Sequence, residues 1–502
     1  MNAKLSSLKS HFLNWREWEM NPIVIKELRQ GVRSWTVTGM LMLFLVVLFI
    51  TSLGFLITES FEVSANMGLG GTLFSAFMII LAGASMFFIP LYTGVRVAAE
   101  RVENNPDLLY VSTLSPARII FGKFLCSAYI SVLFFSACMP FMAFTNLLRG
   151  VDLPTVFFIL GFLFLAVCAA NMFAIFLACL PMSRPFKFLF ILYGIFQSVG
   201  AIASMVGISF TFMRSGVGAM MSGRDFWIGT ATATGLGLMV MGLFYVLAVA
   251  LISPPSANRA LPVRIYLTAI WLIGGVFAFI WADQASDPDR IQAWTFPSII
   301  VLMFALLVTI SNNDDLSLRV QRTIPRNSFK RFLAFLFYNG AAGGLFWVVS
   351  LLVATYAFTI VVMDFNTGGS LSQDDRQKMI TMCLYALAYA LTALFIHRKF
   401  LSRRPAKLTG LLAVLLAGGW AIAPSIFLFF ANQLSWKSVD GLQLGNLFNV
   451  FFTHDDKQAS LHELFAFGWL MVAIGINAAW FSRQLRKFRP PEAPANTQAA
   501  EI

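Results

Sequence analysis

The sequence predicts an all-α polytopic membrane protein: about twelve transmembrane helices in two six-helix halves, with an N-terminal amphipathic interfacial helix. Three observations predict it. Of 502 residues, 58% are hydrophobic and 12% charged, and mean hydropathy is +0.76, whereas a soluble domain is about 25% charged. The apolar residues fall in runs long enough to cross ~30 Å of hydrocarbon, which takes ~20 helical residues. Basic residues collect in alternate connections between those runs. This composition excludes a soluble fold, a disordered chain, collagen, a coiled coil and a secreted disulfide scaffold. The runs lack the alternation of a membrane barrel.

In chain order the predicted spans are 35–57, 72–96, 124–148, 155–181, 187–212, 227–252, 265–282, 293–311, 333–362, 379–397, 408–431 and 464–482. The N-terminal segment 1–34 is polar and amphipathic, which argues against a cleavable signal peptide. Within it, Asn21 is a helix cap and Pro22 suits a first turn. Ile25, Leu28, Val32 and Trp35 then share one face, with Lys26, Arg29 and Arg33 on the other. Such a helix lies in the membrane interface with its cations toward anionic headgroups. The two halves, 35–252 and 264–483, are joined by an inner linker, 253–263, and the tail 484–502 is too polar after Arg489 to bury anything.

With the N-terminus inside, 28 of the 36 basic residues fall on the inner side and eight outside (Arg149, Arg214, Arg224, Arg290, Arg376, Lys378, Lys437, Lys457), against 10 carboxylates inside and 14 outside. Removing one span would put the basic stretch 397–407 outside, so both termini are expected in the cytoplasm. The net charge of +12 is topology rather than a nucleic-acid site. Trp35, Trp227, Trp281, Trp294 and Trp480 near span ends suit an interfacial belt. The five cysteines lie in apolar runs and read as small buried residues.

No phosphate-binding loop is visible: Gly122–Lys123 is followed by Phe124 and no glycine stands five residues earlier. The chain is therefore expected to be no enzyme and to hold no cofactor, and any ATP-driven work belongs to another chain. The polar groups deep in spans are neutral: Asn171, Gln197, Asn339 and Asn477. They bond helix to helix or line a path. The outer segment 432–463 carries His454, Asp455, Asp456, His462 and Glu463, read as a solvated loop rather than a metal site, and its apolar stretch 441–452 is a candidate to dip into the membrane. His11 and His397 take no role. Pro140 and Pro424 fall inside spans, where proline kinks a helix.

An internal repeat is visible in the inner loop after the second span of each half. Asn104–Asn105, Asp107, Leu108, Thr113 and Pro116 match Asn312–Asn313, Asp315, Leu316, Thr323 and Pro325. Pro90 and Pro297 also fall in equivalent spans. Six spans per half make this a parallel repeat.

In the first loop, Glu100–Arg101, Leu108–Leu109, Thr113-Leu114-Ser115-Pro116, Ile119 and Gly122–Lys123 resemble the second-to-third-span loop of type-2 ABC exporter permeases. Asn21-Pro22 and Lys26-Glu27-Leu28-Arg29 resemble the leading helix of bacterial members. The motifs cover about 40 residues. The resemblance implies the permease subunit of an ATP-driven exporter in a bacterial cytoplasmic membrane, with this loop as a coupling helix docked on a separate P-loop ATPase, present in two copies, that holds ATP and magnesium. Leu108, Leu109, Leu114 and Pro116 would form the docking segment, with Glu100, Arg101 and Lys123 at its ends. The second loop (Asn312, Asp315, Leu316, Ile324, Pro325) departs from the pattern, with Thr309–Ile310 before it and Lys330–Arg331 in place of Gly-Lys. It is a second coupling loop, a degenerate one, or chiefly structural. The alternatives are a nucleotide-independent transporter or channel, and a non-transporting scaffold that keeps a permease fold.

Overall fold

A computed structural model describes residues 22–58, 69–103, 115–148, 151–181, 184–285, 288–366, 373–431, 443–452 and 456–490. Among them the regular structure is helical, and the chain divides into two compact units, 1–253 and 254–502. Among the described residues eleven helices are long and apolar enough to cross a membrane. The protein is thus a multi-pass helical membrane protein. The remaining predicted span, 408–431, the eleventh in chain order, is helical over Leu408–Ala431, with a shorter apolar stretch, Leu408–Pro424.

In the first unit, α1 (Pro22–Val32) precedes α2 (Trp35–Thr58). The second span is built of α3 (Leu69–Gly83), a π-helical turn over Ala84–Phe88, and α4 (Ile89–Glu103). The π turn ends two residues before Pro90, which has no N–H and whose ring crowds the carbonyl four residues back, that of Met86 within the turn. Widening the preceding turn relieves that crowding. Then come α5 (Pro116–Leu147), α6 (Leu153–Cys179), α7 (Arg184–Ser215), the short α8 (Val217–Met220) and α9 (Arg224–Ile252). Caps set the starts: Ser115 accepts from the Arg118 N–H ahead of Pro116, and Asp152 accepts from the Thr155 N–H ahead of Pro154. The core joins Phe44, Phe77, Phe134 and Leu163 from four helices, with Phe44 and Phe134 rings 5.2 Å apart. Much of α2 stays exposed and apolar, including Leu43, Phe49 and Ile50, as a lipid-facing surface should.

The second unit runs through α10 (Ala260–Ala285), a 3-10 turn at Pro288–Ile291, α11 (Gln292–Ile310), α12 (Leu318–Gln321), α13 (Ser328–Phe337), α14 (Ala341–Asn366), α15 (Gln373–Phe400), α16 (Leu408–Ala431), α17 (Asn449–Phe452) and α18 (Asp456–Lys487). The predicted span 333–362 is not one continuous helix. The helix breaks at Tyr338–Gly340, and 333–337 belong to the separate α13. Gly340 has φ +137°, a conformation an L side chain rarely adopts. Asn339, expected inside a span, lies in this break. Its Oδ1 accepts from the Ala260 N–H at 2.8 Å, and its own N–H donates to Asn258 Oδ1 at 3.1 Å.

Trp35 and Trp227 are exposed, as interfacial residues are. Trp480 is not: it is buried and its indole donates to Asp314 Oδ2 at 3.1 Å. Its nearness to a span end carried no information about the partner it had found.

Candidate functional site: the charged foot of the first unit

The face of α1 that meets α5 carries Val24, Glu27 and Gly31, all buried, while Ile25, Val32 and Trp35 remain exposed. Gly31 brings the helices close: a Cβ there would lie 3.9 Å from Ile130 Cδ1. Glu27 is thereby carried under the first unit. Its Oε1 accepts from Lys123 Nζ at 3.0 Å and its Oε2 lies 3.2 Å from Arg96 Nη2. Lys123 also pairs with Glu100. Arg96 Nη2 donates to Gln30 Oε1 at 2.6 Å and Nη1 donates to the Tyr92 hydroxyl at 2.9 Å. The Glu27 and Lys123 side chains are only 8% and 12% exposed. Two cations and two carboxylates balance, which is the condition under which buried ions are tolerated. About 20 Å³ is left among them, room for one water and no larger ligand. The arrangement therefore holds helices together; it is not built to bind a substrate.

Its position gives it meaning. Glu100 closes α4, and Lys123 stands in the second turn of α5. The pair therefore clasps the two helices that lead into and out of 104–114, and Glu27 ties α1 to the same point. Of the residues the sequence singled out, Glu100 and Lys123 come together and Pro116 opens α5. Arg101 belongs to α4, and Leu108, Leu109 and Leu114 lie outside the described residues. Arg96, Tyr92 and Gln30 carry no sequence signal of this role, and Glu27 stands out only as part of the Lys26–Arg29 motif. The available signals were a lone carboxylate in a basic helix and Gly31 one turn after it.

The second loop is organised differently. Asp314 Oδ1 accepts from the Ala341 N–H at 2.9 Å and Oδ2 accepts from Trp480. Burial raises its carboxyl above the usual range, against the pull of those hydrogen bonds and of Arg398. Arg264, buried in α10, donates to the carbonyls of Leu336 and Tyr338 at 2.7 Å and of Gly340 at 3.0 Å. It satisfies the carbonyls that the end of α13 leaves open. Asp315 and Leu316 line a pocket of about 130 Å³ with Asp314, Gln321 and Lys487. Asn312 and Pro325 are half-buried. Ile324 is buried inside the unit, so it presents no apolar surface to a partner. Leu318, two residues after Leu316, is exposed instead.

Three further regions were read from sequence. His462 is not part of a solvated loop. It sits in α18, buried, with Nδ1 3.0 Å from the Tyr385 hydroxyl. Tyr385 accepts from the Gly445 N–H at 3.0 Å, and the Tyr389 hydroxyl donates to the Gly445 carbonyl at 2.7 Å. The helix starts earlier than its hydropathy suggests, and its polar first turns pack on α15. His454 and Asp455 lie outside the described residues, and among those described no three His, Cys, Asp or Glu side chains gather to hold a metal. The deep amides act between helices. Asn171 Nδ2 donates to Ser131 Oγ at 3.1 Å, and Asn477 donates to the Leu391 carbonyl at 3.1 Å and accepts from Arg398. Gln197 is exposed. An apolar groove of about 170 Å³ runs beside the π turn, between Met86, Pro90, Phe173, Leu177 and Ile195.

Compared with known proteins, the chain matches no family model, no curated protein and no solved structure.

Proposed function

We propose that this chain is the membrane permease subunit of a bacterial ATP-driven exporter, working with two copies of a separate P-loop ATPase that binds ATP and magnesium. The inner loop 104–123 docks on that ATPase, and the path for substrate lies in the membrane part of the chain. The observation that carries the reading is the charged foot. A coupling loop works only if a push on it reaches the spans rather than being absorbed at its joints. Glu100–Lys123 and Glu27–Lys123 join the helices on either side of the loop, and the helix before them, into one braced unit. The sequence resemblance falls on these same residues.

The test is recovery of a P-loop ATPase with the full chain purified from its native membrane. Leu108→Asp with Leu114→Asp puts two charges into an apolar contact, and a stranded charge at a desolvated interface costs several kcal/mol. The ATPase is expected to be lost while membrane insertion is kept, since no span is touched. Leu316→Asp with Leu318→Asp is the matching pair in the second loop and is expected to be milder. Unchanged recovery with the first pair would remove the docking role, and equal loss with both would establish two working loops.

A further inference from the structure

We propose that α13, with the basic segment before it, is an anchor for anionic phospholipid on the side of the membrane that the charge count places inside. This holds whether or not the ATPase reading does, because it needs only the multi-pass membrane character of the chain.

At 100° per residue Phe329, Phe332 and Leu333 share one face of α13, and they are 70%, 45% and 42% exposed. The opposite side is fixed. Phe335 is buried with its ring 5.4 Å from Phe488, and Arg264 holds the carbonyls at the helix end. The aromatic face is thus held outward by the fold. It also continues into the membrane surface of the next helix. Phe332 meets Phe346 of α14 edge-on at 5.7 Å, and Phe346 and Val353 are exposed on a helix apolar enough to span. A soluble partner covering this face would have to cover a lipid-facing flank as well.

The charge points the same way. Arg319, Arg322, Arg326, Lys330 and Arg331 lie within 316–337, and no carboxylate occurs between Asp315 and Asp364. Four of the five are exposed, and among the described residues none forms an ion pair. In the foot of the first unit the cations are neutralised by Glu27 and Glu100. Here no carboxylate among the described residues pairs with the cations, and phosphate-bearing lipid headgroups supply the counter-charge where the aromatic rings enter the acyl boundary.

The experiment replaces Phe329 with the photo-reactive benzoylphenylalanine in the full chain. The chain is reconstituted in vesicles of phosphatidylcholine with roughly 30 mol% phosphatidylglycerol and also irradiated in its native membrane. Lipid adducts are expected in both. The ratio of phosphatidylglycerol to phosphatidylcholine adducts should exceed the bulk ratio by at least about fivefold, since one cation near an anionic surface contributes about that factor. Arg322→Gln, Arg326→Gln and Lys330→Gln together should return the ratio to bulk. Arg322→Gln alone should lower it in part, and it stands in if the triple variant does not fold. Adducts to another polypeptide in the native membrane, adducts to a second copy of this chain, absence of lipid adducts, or enrichment untouched by either variant would each overturn the proposal.

Discussion

Neutralising Glu27 and Lys123 separately and together tests the foot most directly. Lys123 Nζ and Glu27 Oε1 are 3.0 Å apart, and both side chains are nearly covered. At an effective dielectric of roughly 20 their attraction is about 5 kcal/mol, set against a desolvation cost of several kcal/mol per ion. The intact pair therefore contributes little net stability, whereas breaking it strands a charge. Glu27→Gln leaves Arg96 and Lys123 facing Glu100 alone, an excess positive charge, and should cost about 2–4 kcal/mol. Lys123→Gln leaves both carboxylates with Arg96, an excess negative charge, and should cost about 3–5 kcal/mol. The double variant restores neutrality, with Arg96 and Glu100 remaining, and should be less damaging than the sum by about 2–4 kcal/mol. The assay is reversible unfolding of the purified chain in mixed detergent micelles, read by tryptophan fluorescence, for the native chain and the three variants. Additivity within about 0.5 kcal/mol would refute the claim that these charges act as one buried unit.

Three more outcomes follow from the second unit. In Gly344→Ala the new Cβ would fall on Thr309 Cγ2 and the Arg264 guanidinium, displacing the group that holds three carbonyls; about 3–5 kcal/mol of stability should be lost in the same unfolding assay. Burial raises the Asp314 carboxyl, so the native state binds its proton more tightly than the unfolded chain does. Its contribution is therefore present below the ordinary aspartate range and lost as pH rises through the raised native value, and Asp314→Asn should flatten that part of a stability–pH curve. Tyr385→Phe removes the acceptor of the Gly445 N–H and the partner of His462; about 1–3 kcal/mol should go, with faster hydrogen exchange in 443–452 than elsewhere in the unit.

The multi-pass helical character was legible because a bilayer writes its demand one residue at a time: most positions of a run must be apolar, and hydropathy adds up over ~20 of them. What depends on a distant partner was not. Trp480 reads as a belt residue until Asp314, 166 residues away, is known to hold its indole. Arg264 counts as one more inner-side cation, yet its work is at the end of a helix more than seventy residues on. Glu27 was visible only as part of a motif, because nothing local says that a carboxylate will be carried under α5 to meet Lys123. The break at Tyr338–Gly340 could have been found. Asn339-Gly340 is a turn dipeptide, though apolar residues on both sides mask it in a hydropathy profile. His462 was misplaced for the opposite reason. The first turns of α18 are polar, and hydropathy starts a helix only where apolar residues begin.

The two loops match in sequence but differ in how each is joined to the helix that follows it, and that difference bears on the proposed coupling. α5 runs without interruption from its Ser115 cap to Leu147. A displacement at its first turn travels along one helix that stays continuous through Pro140, and Glu100 and Glu27 brace that helix near its base. In the second unit the matching stretch is two helices, α13 and α14, separated at Gly340. The join is held by Arg264 and Asp314 through main-chain groups, which fix position but do not continue the helical ladder across the break. Lys123 in the first loop corresponds to Arg331 in the second, yet among the described residues Lys123 meets carboxylates and Arg331 meets none. A push on 312–331 therefore reaches α14 through a joint, and the cations there stay available to lipid. This asymmetry supports a division in which the first loop is the lever and the second is moored to the membrane.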